Sequence, residues 1–208
     1  CGLISFGVAL LEEAIELRKS KLTNKPILVF SPFRLEEIDD YVKYKIETTI
    51  CNENILSKAG RLKTNKTLPA HVNIDTGMGR LGIHHTRAVD FIKKLTLSKH
   101  FKIAGCYTHF ATSDEADKSY ANIQLKRFQK VIQELKNLGI SEFITHAANS
   151  GAILDMPDSY MDMVRPGISL YGYCPSLKTS ESISLKPVMS IISSISSIKR
   201  ISKGCQNS

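Results

Sequence analysis

The sequence predicts an α/β fold, a (β/α)8 TIM-type barrel lacking its first strand and followed by the start of a C-terminal β-domain. Three observations carry that expectation. Short β-rich runs alternate with helical stretches along residues 1–174, and most of the runs are too apolar for a sheet with one solvated face, which implies parallel strands covered by helices. Polar and reactive residues gather at the C-terminal ends of four runs, where barrels of this type assemble their sites. After Tyr173 the helical stripe disappears and a strand-like alternation takes over.

The elements follow in order. SFGVA (5–9) precedes a helix with apolar Leu10, Leu11, Ala14, Ile15 and Leu17, and PILVF (26–30) precedes the helix of FRLEEIDDYV. IETTIC (46–51) precedes NENILSKAGRL, and AHVNID (70–75) precedes HTRAVDFIKKL. KIAGCYTHF (102–110) precedes the long SYANIQLKRFQKVIQELKNLG, which Gly139 closes in the left-handed conformation. FITHA (143–147) leads to a short helix around SGAILDM, and MVRPGISLYG (163–172) reads as a further strand. These are seven strand units where the barrel closes with eight, so one more is expected ahead of residue 5, in a chain that begins with Cys1 rather than methionine. The expected division is a partial barrel at 1–174, then a linker and the first strands of a truncated β-domain at 175–208, where Met189, Ile191, Ile195 and Ile201 share one parity.

Composition narrows the function classes. With 208 residues, 42% hydrophobic and 23% charged, the chain can bury a sizeable core and reads as a soluble, cytoplasmic protein. No apolar run approaches the ~18 residues of a spanning helix, and no secretory leader pattern is present. Cys1, Cys51, Cys106, Cys174 and Cys205 include no C-x-x-C pair, which argues against a disulfide framework or a zinc site. The adjacent His84 and His85 have no second ligand pair at metal spacing. The net charge of +8 is dispersed over helices as lysines among glutamates. That suits an anionic ligand such as a phosphate better than nucleic acid, since aromatic platforms between basic residues are lacking.

Three stretches carry chemistry. In HVNIDTGMGRLGI (71–83) a strand runs into two glycines that permit a sharp turn, and Arg80 brings a permanently charged, planar donor to the barrel mouth, suited to a carboxylate. In HAANSG (146–151) a strand ends in Asn149, Ser150 and Gly151 at the start of a helix, where Ser150 either caps that helix or, with free backbone N–H groups, offers its hydroxyl to a phosphate. In VRPGISLYG (164–172) Arg165 lies among apolar residues and must be paired or face the mouth, while Gly167 exposes backbone. Counting the absent first strand, the last two stretches fall after the seventh and eighth strands, the usual phosphate cradle. His109, in YTHFATSDEAD, is placed to donate within the same network.

Read together, HVNIDTGMGRLGI, YTHFATSDEAD, HAANSG and MVRPGISLYGYCPS closely resemble the alanine racemase family, pyridoxal-phosphate enzymes with a (β/α)8 barrel and a C-terminal β-domain; FGVALLEEAIELRKS and PILVF resemble that family's second and third strand units. The resemblance implies that the complete protein is a homodimer interconverting L-alanine and D-alanine and supplying D-alanine for peptidoglycan. It implies that Arg80 faces the substrate carboxylate and that Ser150, with the backbone of Gly167 and Ile168 and with Asn149 nearby, holds the cofactor phosphate. Arg165 would face the pyridine nitrogen with His109 behind it. An arginine donates without giving up its proton, so the ring nitrogen stays unprotonated and the ring is a weaker electron sink.

Three departures accompany the resemblance. Asn73 stands where many members have a carbamylated lysine, so a bound anion or a direct amide contact is expected to orient Arg80 instead. A cofactor lysine in a motif like VKANAYGHG is absent, and no tyrosine follows Tyr173. Both proton-transfer groups thus lie outside these residues, and the chain alone is expected to be inactive. The rival readings are another amino-acid racemase on the same barrel, for serine or a broader range, and a non-catalytic cofactor-binding barrel.

Overall fold

The computed structural model describes residues 2–60, 64–180, 183–198 and 200. The chain forms β1 (Phe6–Val8), α1 (Leu11–Lys19), β2 (Ile27–Pro32), a 3-10 turn running into α2 (Ile38–Tyr44), β3 (Glu47–Ile50), α3 (Asn54–Ala59) and β4 (Leu68–Asp75). It continues through β5 (Ile83–His84), α4 (His85–Thr96), β6 (Phe101–Tyr107), α5 (Ser119–Asn137), β7 (Ile144–His146) and α6 (Ser150–Asp155). Six strands pair in the order β1-β2-β3-β4-β6-β7, every pair parallel, with the two-residue β5 against the end of β4. The result is a curled parallel half-barrel with helices outside.

Strand periodicity divides the sheet into two faces. The even-numbered Ala70, Val72 and Ile74 of β4, with Ile27 and Val29 of β2, join the apolar core beneath the helices. α4 contributes Ala88, Phe91, Ile92 and Leu95 to that core, and α5 contributes Ala121, Leu125, Phe128, Ile132 and Leu135, each set at helical spacing. Residues of the opposite parity in each strand turn to the inside of the curl. His71 of β4, Tyr107 of β6, Thr49 of β3 and His146 of β7 meet there, with the ring of Tyr107 stacked on that of His146 at 4.9 Å between centroids. Gly105 of β6 makes this possible, because a Cβ at that position would overlap the His71 ring.

The strand expected at 163–172 is not one. Its only ladder contact is a single bridge between Met163 and His146, after which the chain turns into a 3-10 helix at Ile168–Tyr171. The cause is local: Pro166 has no N–H to donate to a ladder, and the N–H of Arg165 goes to the carbonyl of Ala148. The alternating stretch after Tyr173 forms no strand among its described residues, and Ile191, Ile192, Ile195 and Ile198 are exposed there. Alternation makes a strand only where a neighbouring strand can receive its hydrogen bonds; here one backbone bond joins Val188 to Tyr171. Ile201 and the rest of 201–208 lie outside the described residues.

Replacing Gly105 with alanine forces the His71 ring from its place. The expected cost is about 1–3 kcal/mol, the range for overpacking a filled interior, read as a lower urea midpoint with an unchanged m-value.

Candidate functional site

At the end of β4 the carboxylate of Asp75 accepts hydrogen bonds from the N–H groups of Gly77 (2.9 Å) and Gly79 (3.1 Å), winding the chain into a tight turn. Both glycines have positive φ, 138° and 71°, which side-chain-bearing residues rarely adopt. The turn delivers Arg80, exposed and without an ion pair among the described residues, to a cleft shared with Asn73, Asp75, Met78, Thr108 and His109.

One stripe of α5 holds this turn in place. Tyr120 donates its hydroxyl to the carbonyl of Gly77 (2.7 Å), and Arg127 donates to that of Thr76 (2.8 Å). Between them Gln124, fully buried, donates to the carbonyl of His109 (3.1 Å) and the hydroxyl of Thr76 (3.3 Å), and accepts from the N–H of Ala111 (2.9 Å). Residues 120, 124 and 127 share a helix face, so a single rigid element sets the Arg80 turn and the His109 loop relative to each other.

Ser150 is a hub of donors. Its Oγ accepts from the N–H groups of Gly167 (2.9 Å) and Ser169 (3.3 Å) and lies 3.1 Å from the Ser169 hydroxyl. The cap of α6 is not Ser150 but Asn149, whose Oδ1 accepts from the Ala152 N–H (3.2 Å) and from the Ser113 hydroxyl (2.6 Å). Asn149 thus fixes the entry of α6, and the Ser150 side chain is left to face residues 167–169. Ile168 opens the 3-10 turn on that same loop.

Arg165 is half-buried, and its guanidinium is held by carbonyls and an imidazole. Nη2 donates to the carbonyls of Thr108 (2.7 Å) and Ala147 (3.0 Å), and Nη1 donates to Nδ1 of His146 (2.9 Å). Its central carbon lies 5.4 Å from the centroid of the Tyr107 ring. Desolvation lowers its pKa to about 10, opposed by Tyr107, which still leaves it protonated at neutral pH. The Tyr107 hydroxyl is pushed up to about 12, mainly by burial.

The structure sets Asn73, Arg80 and His109 on one cleft and gathers Asn149, Ser150 and residues 167–169 at the start of α6, with Arg165 held by two carbonyls and a histidine. The histidine bonded to Arg165 is His146, not His109; His109 instead stands between the fields of Arg165 and Arg80. Its pKa is lowered to about 4, first by burial and then by those two cations. His146 is fully buried and held well below the ordinary histidine range by burial, Arg165 and His71. His146, His71, Glu47 and Gln124 escaped the motif reading. A polar alternation was available to find His71: in HVNID the polar residues occupy one parity of a strand otherwise too apolar to face water.

This fold, a curled parallel half-barrel with helices outside and arginines at its mouth, defines an α/β barrel domain. The profile described as "Alanine racemase, N-terminal domain" matches residues 2–175, so the chain belongs to the alanine racemase family. It is 40% identical to the alanine racemase of Clostridium tetani over 98% of this chain and 53% of that protein, and 38% identical to that of Treponema denticola over 97% and 54%. Among solved structures, alanine racemase from Clostridium difficile in complex with cycloserine superposes with a TM-score of 0.82 at 33% identity, covering 89% of this chain and 52% of that one. The chain spans about half the length of the curated relatives it matches.

Two outcomes follow from the site. Gln124→Leu should lower stability by roughly 1–3 kcal/mol, the cost of stranding buried polar partners, measured by denaturant unfolding. Below the unfolded-state histidine pKa, about 6.5, an unfolded chain binds protons that folded His109 and His146 refuse. Stability should therefore fall as the pH drops from 6.5 towards 4; a Tm-against-pH series should show this, and His109→Asn should flatten the slope.

Proposed function

We propose that the complete protein containing this chain is a pyridoxal-phosphate-dependent racemase that interconverts L-alanine and D-alanine. The observation that carries the reading is the convergence of donors at residues 150 and 167–169 beside a protonated Arg165. The donor set fits the cofactor. Two backbone N–H groups and the Ser169 hydroxyl converge on the Ser150 hydroxyl, donors that a phosphate could accept from, and of the five donors of its guanidinium Arg165 spends three on His146, Thr108 and Ala147. When bound, the cofactor supplies a ring that withdraws electrons from the substrate's α-carbon.

The chain's own residues do the rest of what this half contributes. Ser150, Gly167 and Ile168 would hold the phosphate, and Arg165 would donate to the ring nitrogen while keeping its own proton, which limits electron withdrawal and side reactions. Arg80 would bind the substrate carboxylate. Asn73, buried at the floor of the same cleft, would orient Arg80 by an amide contact or through a bound anion. His109, neutral at physiological pH, adds no positive charge beside the two arginines. The groups that move the α-proton, a lysine and a tyrosine on opposite faces, would come from regions beyond residues 1–208, the tyrosine from the C-terminal β-domain of a partner subunit. On this reading the protein is a cytoplasmic homodimer supplying D-alanine for the cell wall. No described helix is long and apolar enough to cross a membrane.

Racemisation assays on the complete protein should show L- and D-alanine interconverting on addition of pyridoxal phosphate, whereas the 208-residue chain alone should not. Preference for serine over alanine, or activity in the isolated chain, would contradict the proposal. Ser150→Ala should weaken cofactor binding about tenfold or more, the worth of a hydrogen bond to a charged group, as read by equilibrium titration.

A further inference from the structure

The hydrogen bond from Arg165 to His146 does not end there. Nε2 of His146 lies 2.9 Å from Nδ1 of His71, and Nε2 of His71 lies 3.1 Å from a carboxylate oxygen of Glu47. Three of the four groups come from β3, β4 and β7 and the fourth, Arg165, from the segment that follows α6, and they line the inside of the curl. Glu47 opens β3, at the N-terminal side of the sheet, while Arg165 binds carbonyls that follow β6 and β7 at the opposite side. The two imidazoles between them are buried, His71 at 2% and His146 at 0% exposure, and the Glu47 side chain is 19% exposed.

Only one set of proton positions satisfies all three contacts. A guanidinium cannot accept, so Nδ1 of His146 must be the bare nitrogen and its proton must sit on Nε2. That proton is donated to His71, whose Nδ1 must also be bare, so the His71 proton sits on Nε2 and is donated to Glu47. A proton on Nδ1 of either ring would place two N–H groups face to face. Glu47, an acceptor when ionised, is the one group able to end such a chain, and it sets a negative charge at the far end of the line from a buried cation.

We propose that Glu47 and His71 are positioning residues for Arg165: Arg165 obliges His146 to be bare at Nδ1, and the line through His71 to Glu47 gives each ring proton an acceptor, so that the His146 ring is held where the guanidinium meets it. The consequence is geometric. With Nη2 spent on two carbonyls and one Nη1 hydrogen on His146, Arg165 cannot rotate without breaking the line. Its Nε–H and remaining Nη1 hydrogen therefore keep one direction, and a ligand meets a donor whose orientation is already set. The Tyr107 ring, stacked on His146 with 16° between planes, holds the imidazole in the orientation the line needs. The benefit to a bound cofactor rests on the function proposed above, whereas the tautomers themselves do not.

Nitrogen-15 NMR of the complete protein, labelled at histidine and free of cofactor, tests the proposal, with His71→Asn and His146→Asn giving the assignments. Both rings should show a protonated Nε2 and an unprotonated Nδ1. Glu47→Leu leaves the Nε2 proton of His71 without an acceptor, so its strongly deshielded, hydrogen-bonded ring N–H signal should be lost and that of His146 should shift, and Glu47→Gln, whose amide oxygen still accepts, should restore both. A proton on Nδ1 of either ring in the wild-type protein would overturn the proposal, as would unchanged ring N–H signals in Glu47→Leu. Because the measurement uses no cofactor, failure of the racemase reading would leave its result intact.

Discussion

The mouth of this half-barrel is organised around the cost of holding a cation out of water. An arginine among apolar residues is tolerated only if its donors are matched, and the matching of Arg165 dictates much of its surroundings. Two strand-end carbonyls, of Thr108 and Ala147, must point inward, and His146 must occupy the last position of β7. Pro166 follows at once and prevents the segment from continuing as a strand, so the chain turns over the mouth and brings Gly167 and Ser169 to Ser150. The cation and the cluster of N–H donors are thus parts of one local solution.

The second arginine is arranged in the opposite manner. Arg80 is exposed, and rigidity lies in the turn behind it rather than in its own contacts. Asp75 closes that turn from within, while Tyr120, Gln124 and Arg127 clamp it from α5. On the proposed reading, a fixed arginine and an exposed one suit a fixed cofactor and an exchanging substrate. His109 stands in the field of both arginines, and burial first, then those two cations, lower its pKa to about 4, so it adds no third positive charge at neutral pH.

Much of this was legible in the sequence, and the remainder was hidden for definable reasons. Parallel strands buried on both faces advertise themselves as apolar runs, which is why β1 to β4, β6 and β7 were readable, and why the arginine and serine motifs fell at the C-terminal edge. MVRPGISLYG misled because its apolar composition suits a strand while Pro166 and the backbone bond of Arg165 forbid the ladder. Capping by Ser150 was one of two readings the sequence left open; the cap falls to Asn149, whose Oδ1 accepts from the Ala152 N–H and the Ser113 hydroxyl, and no local pattern distinguishes two adjacent side chains that can each cap a helix. The line from Glu47 to Arg165 could not be read from any single stretch, since its members lie on separate strands and are brought together only by the curl of the sheet.

The central claim is that the donors at 150 and 167–169 and the guanidinium of Arg165 together form the seat of one phosphorylated pyridine. A crystal structure of the complete protein grown with pyridoxal phosphate tests it most directly. The account predicts the phosphate on the N–H groups of Gly167 and its neighbours, with the ring nitrogen facing Arg165. A phosphate bound elsewhere, or a ring nitrogen facing a carboxylate, would contradict it.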